Sequence, residues 1–333
     1  MKSRVTIIIA VVILASLAAV AYYRSGLLNL PSVPDGITSR EAGLDNLPEL
    51  KSFHDAVTSG VSSSNTNIAS VRSALDEISK GNEQAGVLQL QEAVRREPTN
   101  LVLGNTLRME LMKLKRKWLT ENAGKSEIAL QFPEYLHDEP IRFFRALDQT
   151  QPSREVKLQL ALAFVDHMLL FPALEIKAPS SVEAVEVLTG VLKNASQKDA
   201  YYVPALYARG LNYLYRPFNL VWPERIAAPA DAASSDIGLA VAVGQNIGAG
   251  SDALKAELSL ALGDAYAKEG KHSLARSWWQ IANNMARDGT FRERVFTRLQ
   301  WNDDDVSANL EETLQHQMEN LDHPLSDLRF MWQ

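Results

Sequence analysis

The sequence predicts an all-α protein, an array of paired helices preceded by one transmembrane helix. Three observations carry that expectation. Residues 5–23 form an uncharged apolar run behind a basic start. Beyond residue 67 no window sustains the period-2 alternation of a strand, and the Val- and Ile-rich stretches carry Ala, Leu, Glu or Lys at helical spacing. Small and aromatic residues recur there at fixed intervals around a turn glycine, which is the pattern of repeated helical hairpins.

Composition narrows the function. With 333 residues, 46% apolar and 22% charged, the chain has ample material for a core and is not disordered throughout. A net charge of -6 and no basic block argue against a nucleic-acid partner, because phosphates require clustered Lys and Arg. The absence of cysteine excludes disulfides, Cys-ligated zinc, Fe–S clusters, thiol nucleophiles and a lipoprotein-type anchor.

In chain order, Lys2 and Arg4 precede Val5–Tyr23, of which ten residues are Val, Ile or Leu. On an insertion scale these contribute about -3 to -6 kcal/mol, enough to enter a bilayer. The flanking positive charges hold the N-terminus in the cytoplasm and place the remainder across the membrane. Tyr22-Tyr23 before Arg24 suits an interfacial anchor, while Ala19-Val20-Ala21 satisfies a signal-peptide cleavage pattern. Both readings, an uncleaved anchor or a cleaved signal over 1–24, export the same domain. Residues 25–66 read as a tether with one short helix from Leu47 to Val57, since Pro31, Pro34, Gly36 and Gly43 interrupt any helical period.

The clearest hairpin lies between Ala256 and Asp288. Leu262-Gly263 is followed by Tyr266, then Gly270, Ala275, Trp279 and Ala282. Gly263 and Ala275 are small where two antiparallel helices cross, Tyr266 and Trp279 fill space beside them, and Gly270 permits the tight turn. A second copy spans 67–100, with Gly81 at the turn, Leu90 and Ala93 packing, and Pro98 ending the unit; Leu101–Arg116 then begins the next, with Leu107 and Leu111 inward. Val203–Tyr213 pairs with Asp231–Ile247, and Lys157–Leu170 with Ser181–Leu192, where Pro179 and Ser180-x-x-Glu183 read as a capped helix start. Two proline-aromatic inserts, 171–179 and 216–229, fall at the same point of these two hairpins and are expected side by side on one rim. Residues 291–333 read as capping helices, with Phe330-Met331-Trp332 folding back over the last of them.

No catalytic constellation is present in the sequence. The six histidines form no His-Glu-x-x-His and no i, i+4 pair. Asp166-His167 on an apolar helix reads as a buried polar contact, and Asn302–Asp305 as a helix cap rather than a calcium loop. Gly244-x-x-x-Gly248-x-Gly250 matches neither a dinucleotide nor a P-loop pattern. Lys113–Lys117, the one basic cluster, reads as a solvated helix face. No enzyme activity, cofactor or metal is expected.

The spacing in 256–288, and more loosely over 67–288, resembles the tetratricopeptide repeat; Arg287 departs from it where the pattern carries a proline. The resemblance implies a superhelix of helical hairpins, over 67–290, whose concave face binds peptides or protein segments and is carried by the first helix of each hairpin. Carried onto this sequence, that face includes Tyr207, Leu211, Leu214 and Tyr215 from one unit, and Leu260, Asp264, Ala267 and Lys268 from the last. Arg216, Phe218 and Trp222 of the second insert would add a partner-binding lip. The expected function is therefore a membrane-anchored scaffold or assembly factor, single-pass in a bacterial inner membrane, with its main domain in the periplasm. The alternative is a small-molecule pocket closed by Arg216, Phe218, Trp222 and Arg225.

Overall fold

A computed structural model describes residues 30–333 except 60–64, 123–132, 134, 135, 137, 138, 171–173, 194–198, 217–228, 286, 287 and 321–324. Among the described residues the protein is all-α, with no strand. Its helices are α1 (Ser39–Ala42), α2 (Leu47–Ser59), α3 (Thr66–Ser79), α4 (Glu83–Arg96), α5 (Leu101–Glu121), α6 (Glu139–Thr150) and α7 (Arg154–Leu170). They continue as α8 (Leu174–Leu192), α9 (Val203–Leu214), α10 (Ala232–Ile247), α11 (Asp252–Lys268), α12 (His272–Met285), α13 (Gly289–Leu299) and α14 (Val306–Asn320). Short 3₁₀ turns occupy Asp199–Tyr201 and Arg329–Met331.

Local chemistry explains where these helices begin and end. Asn65, Asn100, Ser251 and Asp288 each accept backbone N–H groups of the following first turn, satisfying donors that the helix itself leaves unpaired. Pro204 stands at the start of α9, where its missing N–H is harmless. Gly270, at φ +74°, makes the three-residue turn between α11 and α12 that a β-carbon would strain.

Consecutive helices pair. The most extensive packing joins α3 to α4, α7 to α8, α9 to α10 and α11 to α12, while α4–α5, α8–α9, α10–α11 and α12–α13 link one pair to the next. The first helices of successive pairs also touch, α5 on α7, α7 on α9 and α9 on α11. Small residues set the closest crossings. A Cβ on Gly263 would lie 2.4 Å from Trp279 Cδ1 and 3.1 Å from the Ala275 carbonyl, and one on Gly210 would lie 2.5 Å from Ile237 Cγ1. Trp278 and Trp279 are fully buried, within a core that extends from Ala42 to Trp332.

Three expectations change. The tether expected over 25–66 is, from Leu30 to Ser59, packed on the body. Ala42, Leu44 and Leu50 are buried, α1 rests on α10, and Arg154 donates to the Arg40 and Glu41 carbonyls while stacking 4.4 Å over the Tyr202 ring. The prolines and glycines that break helical period there shape a fitted strap, not a spacer. Secondly, α8 starts at Leu174, so Pro179 and Ser180 lie inside it and cap nothing. Pro179 is the sixth residue, early enough that only one backbone hydrogen bond is lost. Thirdly, Phe330-Met331-Trp332 reaches beyond the last helix to α9 and α11, as described next. The proposed signal-anchor lies outside the described residues, among which no helix is long and apolar enough to cross a membrane.

Candidate functional site

The face built by α5, α7, α9 and α11 is the one on which the sequence places its partner-binding residues. It is covered by the chain itself. Segment Leu325–Gln333 lies across it, with Leu328, Met331 and Trp332 each at most 2% exposed. The ring of Phe330 packs against Tyr207 of α9 with centroids 4.9 Å apart. From α14, Gln317 accepts a 2.8 Å hydrogen bond from the Tyr215 hydroxyl.

The polar seat for this segment is on α5 and α7. Arg108 of α5 is buried completely, and such a charge is tolerable only when fully paired. Its Nη1 donates to Asp166 Oδ2 at 2.8 Å and its Nε to Gln159 Oε1 at 2.7 Å, both on α7. Its Nη2 divides between Asn105 Oδ1, at 3.1 Å, and the backbone carbonyl of Ser326, at 2.6 Å. Asn105 completes the seat: Nδ2 donates to Asp327 Oδ1 at 3.0 Å, and Oδ1 accepts the Leu328 N–H at 2.9 Å. Burial pushes the Asp327 carboxyl up, but hydrogen bonds from Arg329 and Asn105 and the Arg329 charge outweigh it and hold the group below its ordinary value. A cavity of about 580 Å³ adjoins the segment, bordered by Met109, Glu110 and Arg116 on one side and Arg329, Trp332 and Gln333 on the other.

The residues nominated from the sequence divide into three groups. Tyr207, Leu211, Leu214 and Tyr215 do share one face of α9 and its C-terminal end, yet all are buried, so the exposed apolar surface expected of them is an internal contact. Leu260 and Ala267 of α11 are buried as well. Asp264 and Lys268 serve the array. The Asp264 carboxylate takes both prongs of the buried Arg298, at 2.7 and 2.8 Å, and the indole N–H of Trp279 at 2.8 Å. Lys268 directs its ammonium at the carbonyls of Tyr213, Leu214 and Arg216, at 3.1, 2.6 and 2.6 Å, closing the end of α9. Burial and the neighbouring Arg216 charge lower its pKa to about 8. The Arg216 guanidinium lies 4.6 Å over the Tyr213 ring, with its pKa lowered by burial to about 10. Phe218, Trp222 and Arg225 lie outside the described residues; of the first insert only 171–173 do, and its remainder, expected as a loop, is the beginning of α8.

The residues that sequence reasoning missed are Asn105, Arg108, Gln159 and Asp327. A signal existed: Asn105 and Arg108 interrupt the inward positions of an otherwise apolar stretch, and polar groups in such places need partners. Asp166 is the buried polar contact expected, with Arg108 as its partner. Among the described residues no group of His, Asp or Glu is placed to hold a metal ion. Compared with protein-family models, curated proteins and solved structures, the chain matches none of them.

Proposed function

We propose that the chain is a helical-hairpin solenoid of tetratricopeptide type, held at a membrane by residues 5–23 and facing away from the cytoplasm. On this reading its α5–α7–α9–α11 face binds segments of protein partners within an envelope complex. Support for the repeat comes from the crossings at Gly263 and Gly210, where the small positions expected of that pattern meet Trp279 and Ile237. The observation that carries the binding role is the treatment of Leu325–Gln333. The face grips main chain as well as side chains, through Arg108 to the Ser326 carbonyl and Asn105 to the Leu328 N–H. Main-chain hydrogen bonds supply affinity and the aromatic contact at Tyr207 supplies selectivity, which is the division of labour in peptide recognition generally.

The test uses a photocrosslinking amino acid at Met109, beside the cavity, and for comparison at the exposed Leu88 of α4. In membranes of the source cell, Met109 should yield one or a few discrete protein adducts that Leu88 does not. Identical adduct patterns from both positions would remove the binding role. Membrane topology is tested separately: an alkaline phosphatase fusion after Arg24 should be active, and the native chain should resist extraction by carbonate.

A further inference from the structure

We propose that Leu325–Gln333 is a displaceable internal ligand of the α5–α7–α9–α11 face, and that the partner bears a segment of the same chemistry: an aspartate followed three and five positions later by aromatic side chains. The inference rests on reading that face as peptide-binding and adds the identity of its ligand class and the means of its control.

Four features separate this segment from the array that holds it. It belongs to no helical pair, and it organises itself. Met331 N–H donates to the Leu328 carbonyl at 2.9 Å, Trp332 and Gln333 N–H donate to the Arg329 carbonyl at 3.1 and 3.0 Å, and the Arg329 side chain folds onto Asp327 at 2.6 Å. A segment that builds its own turns carries a recognisable shape to whatever surface receives it. The seat is organised without it. Arg108 is locked by Gln159 and Asp166 from α7, so its remaining N–H group stays aimed outward whichever carbonyl arrives. The recognition elements are modular, with one carboxylate on Asn105, one ring on Tyr207, and Trp332 buried beside the cavity. Finally, the fit is incomplete. The Tyr207 hydroxyl of the face and the Trp332 indole N–H of the segment are both buried with no hydrogen-bond partner among the described residues, so the two surfaces do not satisfy each other fully.

Tethering explains how an imperfect ligand keeps its place. A segment joined to its own receptor by a short connection is present at an effective concentration on the order of millimolar, so a free competitor must overcome that local excess. A partner presented at high density or with a better-matched segment does so, and the face then opens to it.

The experiment uses the full chain with Asp327→Ala and Phe330→Ser, which weakens the internal ligand while leaving the tether intact. The probe is a fluorescein-labelled synthetic peptide of sequence Leu325–Gln333, followed by anisotropy, with a scrambled peptide as control. The expected result is a cooperative melt with unchanged helical ellipticity, and binding at least about tenfold tighter than to the unmodified chain, as release from a tethered competitor requires. Asn105→Ala added to that variant should abolish the gain. A second chain carries a protease site in place of 321–324; after cleavage and dilution it should remain folded and bind the peptide likewise. Loss of helical signal on cleavage, together with no gain in the double variant, would mean the segment is ordinary core and overturn the proposal. Equal binding by the modified and unmodified chains would also overturn it, while leaving the peptide-binding reading intact. Folded, emptied chain that ignores the peptide would remove both.

Discussion

Gly263 and Trp279 show how a single atom decides a helix crossing. The indole lies where a β-carbon would be, and its N–H is spent on Asp264, which in turn holds Arg298. Gly263→Leu should therefore overpack the crossing and lower stability by about 1–3 kcal/mol or more, and Trp279→Ala should cost about 3–5 kcal/mol. Urea unfolding followed by circular dichroism measures both, and unchanged midpoints would dissolve the packing account. Asp264 is a sharper case, because the sequence nominates it for a partner and the structure gives it to Arg298. Removing one member of a buried ion pair strands the other, so Asp264→Ala should cost about 3–5 kcal/mol. A partner-facing carboxylate would instead tolerate the change in isolation and lose binding alone.

At the scale of elements, the strap from Leu30 to Ser59 is held by a small interlock: Gly43, at φ +73°, turns the chain beside the Tyr202 ring, where a Cβ would fall 2.2 Å from a ring carbon. Gly43→Ala combines a left-handed backbone with that clash and should cost about 1–3 kcal/mol. Limited proteolysis should then cut near residues 38–46 before the body unfolds. Helical pairs of the array were legible in the sequence because their signals are local. The bounds of α2, α7, α9 and α10, and the start of α5, follow from caps, turn residues and 3.6-residue spacing, all within a dozen positions, whereas α5 runs to Glu121, more than a turn past its expected end at Arg116. The strap was not legible, since its proline and glycine content reads the same whether the segment is loose or fitted; only Tyr202 and Arg154, more than a hundred residues away, decide which. Pro179 misled for a related reason. A proline marks the first turn of a helix well, but tolerates the second when only one hydrogen bond is forgone. The candidate face was found through the pattern on α9 and α11, whereas its cover was hidden because Asn105 and Asp327 are 222 positions apart.

For the molecule as a whole, three fully buried tyrosines make alkaline pH the informative perturbation. Burial first, and then nearby carboxylates, raise Tyr202, Tyr207 and Tyr215 well above their ordinary value. A phenol whose folded pKa exceeds its unfolded value of about 10 contributes stability that is complete below that pH and is lost as pH rises toward the folded value. Stability should thus decline from about pH 10 upward, with tyrosinate absorbance from these residues appearing only as helicity disappears. Smooth titration of every tyrosine with the helices intact would show that these hydroxyls are open to solvent.

The bond between Asn105 and Asp327 also has a kinetic meaning. Helical pairs stacked in order contact only their neighbours, so they can zip from any starting point and fray from either side. A contact across 222 positions belongs to a different class, because its formation requires most of the intervening array to be in place and it closes slowly. Refolding should therefore separate into a fast rise in ellipticity and a later change in Trp332 fluorescence, isolated by difference against Trp332→Phe. Between the two lies an interval in which the array is built but unlatched, and every newly folding molecule passes through it with Tyr207 uncovered.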